Sequence, residues 1–290
     1  MVSTILITGA TGQIGGETAR LLQAEGHAVR ALVRDAGSAG ATALAAAGVE
    51  VVQGDQARPE TLAGALAGVE AVLVASSNDV GQVERESNVI AAAATAGVRR
   101  IVKISALGTV AGSPISLLAT HAAIEQRLAA SGIEWTSLRP GSFMQNFLRY
   151  AATVKAAGAF YGCQGNAPVA LIDTRDVAAV AARCLADGGH AERVYELSGP
   201  EALTYADAAA ALAAASGRPV AYVDLPPAAA RQGMIDAGLP PWLADDLVGL
   251  AELFKGPLGR QTTTAVADFT GQAPRTFAAF AREHAGLFRA

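Results

Sequence analysis

The sequence predicts an α/β protein: a Rossmann-type, doubly wound parallel sheet with a smaller, mixed and mostly helical C-terminal lobe. Two observations lead to this prediction. Six short runs rich in β-branched residues alternate with segments of helical periodicity, and a glycine-rich turn follows the first run directly. Such alternation is typical of right-handed βαβ units, whose parallel sheet is covered by helices on both faces. We therefore expect the sheet domain at residues 1–142 and the smaller lobe at 143–290, with 169–197 returning to the main sheet.

The sheet domain divides into strands and intervening helices in a regular way. Apolar residues recur at helical spacing between the strands, as Ile14, Leu21 and Leu22 do in the first such segment. The predicted strands occupy residues 4–8, 27–33, 49–54, 70–75, 99–105 and 134–140.

The smaller lobe has clear helix boundaries. Residues 167–187 predict a short strand followed by a helix that begins near Asp173 or Thr174, and residues 194–199 predict another strand. A capping box formed by Thr204 and Asp207 starts the next helix, which Gly217 ends. Paired prolines mark the starts of two further helices.

The glycine-rich turn after the first strand carries the strongest functional signal. Gly9, Gly12 and Gly15 have a GxxGxxG spacing: the first permits the tight turn, the second lets the backbone approach a pyrophosphate, and the third lets the helix pack on the strand. The free N–H groups at the helix start attract the anion. A turn without a ligand is the weaker alternative, because the motif both follows a strand and opens a helix. We predict an NAD(P)-binding domain in which the cofactor contacts Gly9, Thr11, Gly12, Gln13, Ile14 and Gly15.

The end of the second strand indicates which dinucleotide binds. NAD sites usually place an acidic residue there for the ribose 2′-hydroxyl, whereas an arginine accommodates the 2′-phosphate of NADP. Arg34 occupies this position, and its guanidinium suits a phosphate. Asp35 follows it, so a solvated Arg–Asp turn is an alternative and NAD(H) stays open. NADP(H) is the predicted cofactor.

Polar residues also follow the third, fourth and fifth strands. Because the carboxyl ends of parallel strands meet at one edge of the sheet, these residues share the side on which a dinucleotide binds. We place Asp55 and Gln56 near the adenine amino group. We place Ser76, Ser77 and Asn78 near the ribose and pyrophosphate, and we count Ser105, at the end of the fifth strand, among the cofactor-binding residues.

Composition and charge exclude several other classes of protein. Apolar residues make up 51 % of the 290 residues and charged residues 17 %, which is typical of a folded chain. The net charge of −4, with no dense cluster of Lys or Arg, argues against a nucleic-acid partner. No apolar stretch of about 20 residues suggests a membrane span. Two cysteines without metal-binding spacing, and a first strand where a signal peptide would begin, lead us to expect a cytoplasmic protein without a metal.

Over essentially its whole length, the chain resembles the NmrA-like group of atypical short-chain dehydrogenases/reductases. The resemblance is carried by ITGATGQIGG, ALVRD, GVRRIVKISALG, HAAIEQRLAASGIEWTSLRPGSFMQNFL and PRTFAAFA. Within this group the chain is most similar to flavin-free NAD(P)H azoreductases and type 2 NAD(P)H:quinone oxidoreductases. The resemblance implies that Pro140, Gly141 and Phe143 back the nicotinamide ring and that Met144 and Asn146 face the substrate. On pattern alone, Phe143 and Phe147 are equally compatible with a core anchor of the smaller lobe.

One departure from the wider superfamily concerns proton transfer. Ordinary members carry a Tyr-x-x-x-Lys pair on the helix after strand five, whereas this chain has His121 and Glu125 there and no Tyr in residues 79–149. His121 is a candidate proton relay, since an imidazole titrates near neutrality, and Glu125 is a candidate to orient it. The alternative is that both residues only shape the cofactor pocket.

These features favour an NAD(P)H-dependent reductase that transfers hydride to a quinone or azo compound without a flavin. Reduction of a quinone yields a delocalised phenolate, so a tuned tyrosine acid is less necessary than in ketone reduction. An NADP(H)-binding redox sensor of the NmrA type, without turnover, is the alternative, because missing catalytic residues fit it equally well. A sugar epimerase of the extended type is disfavoured because it requires the tyrosine. The expected partner is a small aromatic or quinone-like substrate, bound by a monomer or homodimer.

Overall fold

The computed structural model describes residues 4–289, and the chain divides into two compact units. The first unit contains the chain up to Gly112 together with Leu118–Arg139 and Arg175–Glu196. The second contains Ser113–Leu117, Pro140–Thr174 and the chain from Leu197 onward.

The secondary structure alternates through the first half and becomes mainly helical in the second. Short 3₁₀ segments occur at Pro59–Thr61, Met144–Tyr150 and Ala285–Leu287. The strands are β1 Thr4–Ile7, β2 Ala28–Val33, β3 Glu50–Gln53, β4 Val69–Val74, β5 Arg100–Ile104, β6 Glu134–Pro140, β7 Ala159–Gly162, β8 Val169–Ala170, β9 Arg193–Leu197, β10 Ala202–Leu203 and β11 Ala221–Asp224. The helices are α1 Gln13–Ala24, α2 Ala39–Ala46, α3 Leu62–Leu66, α4 Gln82–Thr95, α5 Ser116–Ala129, α6 Ala151–Ala157, α7 Thr174–Asp187, α8 Tyr205–Ser216, α9 Pro227–Asp236, α10 Pro241–Phe254, α11 Pro257–Arg260, α12 Ala265–Thr270 and α13 Phe277–Glu283.

The first unit is built on a seven-stranded sheet in the order β3-β2-β1-β4-β5-β6-β9. The pairs from β3 through β6 are parallel, with Ile5 opposite Val29 on one side of β1 and Ile7 opposite Leu73 on the other. The strand order reverses between β1 and β4, and open sheets of this kind bind ligands outside the carboxyl ends at such a point. The predicted doubly wound fold is confirmed, and the six predicted strands agree with β1–β6 to within about one residue at each end.

The core of this unit lies where helices cover the sheet. The central strands are almost wholly buried because helices pack on both faces, which is why their sequences read as continuous apolar runs rather than alternating ones. One cluster of this core contains Leu6, Leu32, Leu62, Ala65, Leu66, Val69, Val72, Val74, Val89, Ile90, Ala93, Val98, Ile101, Ile124, Leu128 and Ile133.

The second unit has an aromatic core. Phe147 packs edge-to-face against Phe160 and Phe277, with ring centroids 5.6 and 4.8 Å apart, and Tyr150 stacks on Phe160 at 4.9 Å. Two small sheets frame this core: β7 pairs with β11 in parallel, and β8 pairs with β10 antiparallel. Phe147 therefore lies in the core of the second unit, as the core-anchor alternative for the aromatic residues after strand six predicts.

The helix boundaries of the second unit follow the predicted signals. Thr204 and Asp207 form the capping box of α8, and Gly217 ends that helix in the left-handed conformation. Pro227 and Pro241 open α9 and α10, as the paired prolines predict. After β6 the chain forms the 3₁₀ segment Met144–Tyr150, which leads directly into α6.

Across residues 4–289, none of the helices has both the length and the apolar character that crossing a bilayer would require.

Candidate functional site

The glycine-rich turn connects β1 to α1 at the point where the strand order reverses. Gly9 has φ +60°, in the left-handed region, and a Cβ there would lie 2.8 Å from the Ala75 carbonyl oxygen. A Cβ at Gly15 would overlap the Gly9 carbonyl. Two glycines are thus required by packing, while Gly12 is exposed and its φ of −85° is open to any residue. Gly12 is therefore the glycine whose lack of a side chain leaves space for a ligand.

The start of α1 has the features of an anion-binding helix N-terminus. Gly12, the N-cap, makes no side-chain capping hydrogen bond, and the first turn of the helix contains no acidic residue. The first N–H groups of a helix lack partners within the helix. Of the residues that carry these N–H groups, Gln13 is exposed and Ile14 is half-buried, whereas the Gly12 N–H already donates to the Gly9 carbonyl at 2.9 Å. This donor set fits the pyrophosphate of a dinucleotide.

Arg34 and Asp35, at the end of β2, have different environments. Asp35 is engaged in the turn that starts α2: its carboxylate accepts from the Gly37 N–H at 2.8 Å, and its carbonyl accepts from the Ser38 hydroxyl at 2.8 Å. Ser38 then caps α2. The Arg34 side chain is exposed, so its guanidinium is available to a phosphate. Asp35 thus stabilises the turn, and Arg34 stays the candidate for the 2′-phosphate.

Gln56 and Asp55 follow β3, at the same edge of the sheet. The Asp55 carboxylate accepts from the Ala57 N–H at 2.9 Å and so stabilises its own turn. Gln56 Oε1 is buried without a hydrogen-bond partner among residues 4–289. A buried acceptor without a partner is costly, and an adenine amino group is a donor of the kind that would satisfy it.

The loop after β4 is organised by an ion pair. Arg85 contacts both carboxylate oxygens of Asp79 at 2.6 and 2.9 Å and also donates to the Ser77 carbonyl. These hydrogen bonds from Arg85 lower the pKa of Asp79 below its usual range. Ser77 and Asn78 are exposed on this loop. The side chain of Ser76 points inward and donates to Glu86 at 2.8 Å.

That inward contact leads to a buried charged cluster that the sequence prediction missed. Lys103 on β5 and Glu86 on α4 are both fully buried, with Lys103 Nζ 2.9 Å from Glu86 Oε2. The other oxygen, Oε1, accepts from Ser76 and from Gln82, the latter at 3.1 Å. Lys103 also donates to the carbonyl of Ile104.

His121 contacts this cluster. Its Nδ1 lies 3.3 Å from Lys103 Nζ, and the residue is 5 % exposed. Burial, with the positive charges of Lys103 and Arg139, holds the pKa of His121 well below its usual value of 6.5. The expectation that this imidazole titrates near neutrality is therefore wrong: His121 is neutral at physiological pH.

Glu125 has partners other than the predicted one. Arg139 contacts both carboxylate oxygens, at 3.0 and 2.5 Å, and the Ser137 hydroxyl donates at 2.6 Å. Burial raises the pKa of Glu125, but the hydrogen bonds from Arg139, Ser137 and Ser105 outweigh it and leave that pKa below its usual value. The expectation that Glu125 orients His121 is corrected accordingly, since Lys103 contacts the ring instead. Whether either residue takes part in catalysis stays a prediction.

The low pKa of His121 leads to a stability prediction. The unfolded chain takes up a proton at this residue below about pH 6.5, while the folded chain does not. Below that pH the unfolded state therefore binds more protons, and its free energy falls relative to the folded state. We expect His121 to reduce the free energy of unfolding by up to about 1.4 kcal/mol for each pH unit below about 6.5, and to leave it unchanged above. Urea denaturation of the native protein and of a His121→Gln variant from pH 5 to 8 measures this, and identical pH slopes would contradict it.

The residues predicted for the nicotinamide and the substrate lie in the second unit. The Gly141 N–H donates to the Leu197 carbonyl at 2.9 Å, and Phe143 forms a parallel bridge with Ile172. Pro140 and Met144 are buried, the latter 1 % exposed, whereas Asn146 is exposed.

Gln145, which the sequence prediction passed over, is the anchored residue of this segment. Its amide donates to Asp173 at 2.8 Å and accepts from the Thr174 N–H at 3.0 Å. The signal available in the sequence was weak, because the partners lie 28 and 29 residues away.

Comparisons with known proteins find several similar chains. The chain is 42 % identical over 286 residues to an NAD(P)H azoreductase of Xenophilus azovorans, with 99 % of each chain covered. It is 41 % identical over 246 residues to quinone oxidoreductase 2 of Escherichia coli, covering 84 % of this chain and 85 % of the other. The solved structure of the NADPH-dependent quinone oxidoreductase of Escherichia coli in complex with NADPH superposes with a TM-score of 0.85 at 35 % identity, covering 96 % and 99 % of the two chains.

The family model described as the NmrA-like family matches residues 1–265. The chain therefore belongs to the NmrA-like family.

Proposed function

We propose that this chain is an NADPH-dependent reductase that transfers hydride to small, electron-poor aromatic acceptors, quinones or azo compounds, without a flavin. The observation that carries the proposal is near full-length similarity to an NAD(P)H azoreductase, combined with an uncapped, glycine-lined helix start at the reversal point of the sheet. The chain is an oxidoreductase, and NADP(H) is its cofactor, with NAD(H) the weaker alternative.

Different residues bind different parts of the dinucleotide. The exposed turn Thr11–Gln13 and the first N–H groups of α1 hold the pyrophosphate. The exposed Arg34 binds the 2′-phosphate, and Gln56 Oε1 accepts from the adenine amino group. We assign Pro140, Gly141 and Phe143 to the nicotinamide, with Met144 and Asn146 on the substrate side.

The chemistry requires a hydrogen-bond donor rather than a strong acid. When bound, NADPH supplies a hydride from C4 of its nicotinamide ring. A quinone reduced by a hydride carries its negative charge as a delocalised phenolate, which solvent can protonate later. A neutral imidazole can stabilise such a charge by donating a hydrogen bond, and His121 is neutral. The absence of a tyrosine from residues 79–149 is therefore compatible with these acceptors.

Replacement of Arg34 by Ala tests the cofactor assignment. We expect Arg34→Ala to weaken NADPH binding by about 1.5–3 kcal/mol, the contribution of a hydrogen bond to a charged group, and to leave NADH binding almost unchanged. Titration calorimetry measures both affinities. Arg58→Ala is the matched control, because Arg58 is an exposed arginine in the loop after the next strand. Equal losses for the two cofactors would show that Arg34 does not read the 2′-phosphate.

Steady-state turnover distinguishes this function from that of an NADP(H) sensor. NADPH consumption is measured with a panel of quinones and azo dyes, beside the affinities for NADPH and NADP⁺. A reductase consumes NADPH in proportion to acceptor reduced. Tight binding that discriminates between the two redox forms, without consumption for any acceptor, would instead support the sensor.

We further place the protein in the cytoplasm, as a monomer or homodimer. Its two cysteines are free and buried, and burial raises the pKa of Cys184 to about 12. Both are thus small buried hydrophobes, which is compatible with a reducing compartment.

A further inference from the structure

The fully buried Lys103 has a defined set of partners. An ammonium group has three N–H donors and no acceptor. Here Nζ donates to the Ile104 carbonyl, lies 2.9 Å from Glu86 Oε2, and lies 3.3 Å from His121 Nδ1. Lys103 Nζ thus has a carbonyl acceptor in Ile104, an ion-pair partner in Glu86 and a ring nitrogen within hydrogen-bond distance in His121.

The contact with His121 decides where the ring carries its proton. Since the ammonium group can only donate, Nδ1 must act as the acceptor and cannot carry a proton itself. In a neutral imidazole the single proton is then on Nε2. The ring consequently has one N–H donor, at the atom facing away from Lys103.

We propose that Lys103 is a positioning residue that fixes His121 as the neutral Nε2–H tautomer, so that this N–H donates a hydrogen bond to the acceptor atom on which negative charge develops during reduction. The tautomer follows from the buried cluster itself. The donor role rests on the reductase function proposed above.

Glu86 offsets the cost of burying the Lys103 side chain away from solvent. A lone buried ammonium group would lose its proton or destabilise the fold, whereas an ion pair with supporting hydrogen bonds is tolerated. Ser76 and Gln82 donate to the remaining Glu86 oxygen at 2.8 and 3.1 Å and so add two hydrogen bonds to the ion pair. Lys103 therefore has a buried counter-ion 2.9 Å from Nζ.

The other charged groups around His121 act in the same direction. Lys103 on β5 and Arg139 on β6 both oppose a second proton on the ring, in addition to its burial. On the same helix, the Glu125 carboxylate is engaged by Arg139 and Ser137, and Glu86 on α4 is engaged by Lys103. The ring is thus kept neutral, and a neutral imidazole donates through a single, defined N–H.

Nitrogen NMR of the native, full-length protein tests the tautomer directly. The ¹⁵N signals of His121, assigned by comparison with His121→Gln, distinguish the two neutral tautomers and the imidazolium. We expect the Nε2–H form alone, without titration from pH 5.5 to 8.5. A proton on Nδ1, or a titration inside this range, would overturn the proposal. This measurement needs no turnover, so its outcome is separate from that of the reductase assignment.

The double variant Lys103→Met with Glu86→Gln tests the positioning role. It removes both buried charges together, so the fold is retained, and leaves His121 without its directing donor. We expect a mixture of tautomers and a fall of about tenfold or more in kcat, with little change in the KM for NADPH. Lys155→Met is the control, since Lys155 is exposed and outside the cluster. A double variant that keeps the pure Nε2–H form and native kcat would refute the role of Lys103.

Discussion

Gly12→Val abolishes NADPH binding while the fold is retained: this is the largest functional effect we expect from a single substitution. Gly12 has φ −85°, so valine meets no backbone strain, and its Cβ would lie 3.1 Å from the Gly9 carbonyl, which a small shift relieves. The side chain would instead fill the exposed space in front of the first N–H groups of α1. Losing two or more charge-assisted hydrogen bonds there should weaken binding by at least about 100-fold.

Gly64→Val is the matched control for this substitution. Gly64 lies on α3 in the same unit, and a Cβ there would have no neighbour within 4 Å. We expect this control to bind NADPH normally. Circular dichroism verifies the fold of both variants, and calorimetry measures the affinity. A folded Gly12→Val protein with native NADPH affinity would mean that the pyrophosphate binds elsewhere.

Lys103→Met should have the largest effect on stability. The substitution leaves the Glu86 carboxylate buried without its counter-charge, and removing one partner of a buried pair typically costs about 3–5 kcal/mol. Urea denaturation at neutral pH measures the loss. The double variant with Glu86→Gln should recover most of it, because the orphaned charge is gone.

Lys155→Met is the control that measures how replacing an exposed lysine by methionine changes the free energy of unfolding. Because Lys155 is exposed, we expect a change within about 0.5 kcal/mol. If Lys103→Met were no more destabilising than this control, Lys103 and Glu86 would not form a charged pair in the folded protein. A double variant as unstable as the single one would lead to the same conclusion.

The fold was predictable because its signals are local. Each strand from β1 to β6 is a short β-branched run, and the turn at Gly9–Gly15 has both its sequence spacing and its place after a strand. Thr204 and Gly217 bound α8 by capping preferences that need no tertiary information. Strands β7 and β11 were missed because they are four residues each and pair across about sixty residues of chain.

The charged cluster had weaker signals, although they were present. Lys103 is a charged residue between apolar residues of β5. Because helices cover both faces of a parallel sheet, a side chain at this position cannot reach solvent. Glu86 lies at helical spacing from Val89 and Ile90, on the buried stripe of α4. Each position suggested a buried charge. That the two charges meet follows only from the way α4 packs on the sheet, which the sequence does not specify locally.

The interpretation of Glu125 shows the opposite problem. Its i, i+4 spacing from His121 is a local signal that favours a contact on one helix face. Arg139, which is 14 residues away on the neighbouring strand, offers a bidentate ion pair instead and contacts the carboxylate. A charged tertiary partner thus overrides a plausible local contact.

The most direct test of the reductase assignment is a single-turnover experiment on protein whose absorption spectrum shows no flavin. The protein, loaded with NADPH, is mixed rapidly with a quinone, and the reduced-nicotinamide absorbance is followed. We predict that this absorbance decays in step with quinone reduction, and that deuterium at one face of nicotinamide C4 slows the decay while deuterium at the other does not. Bound NADPH that persists unchanged in the presence of quinones and azo dyes would contradict the assignment.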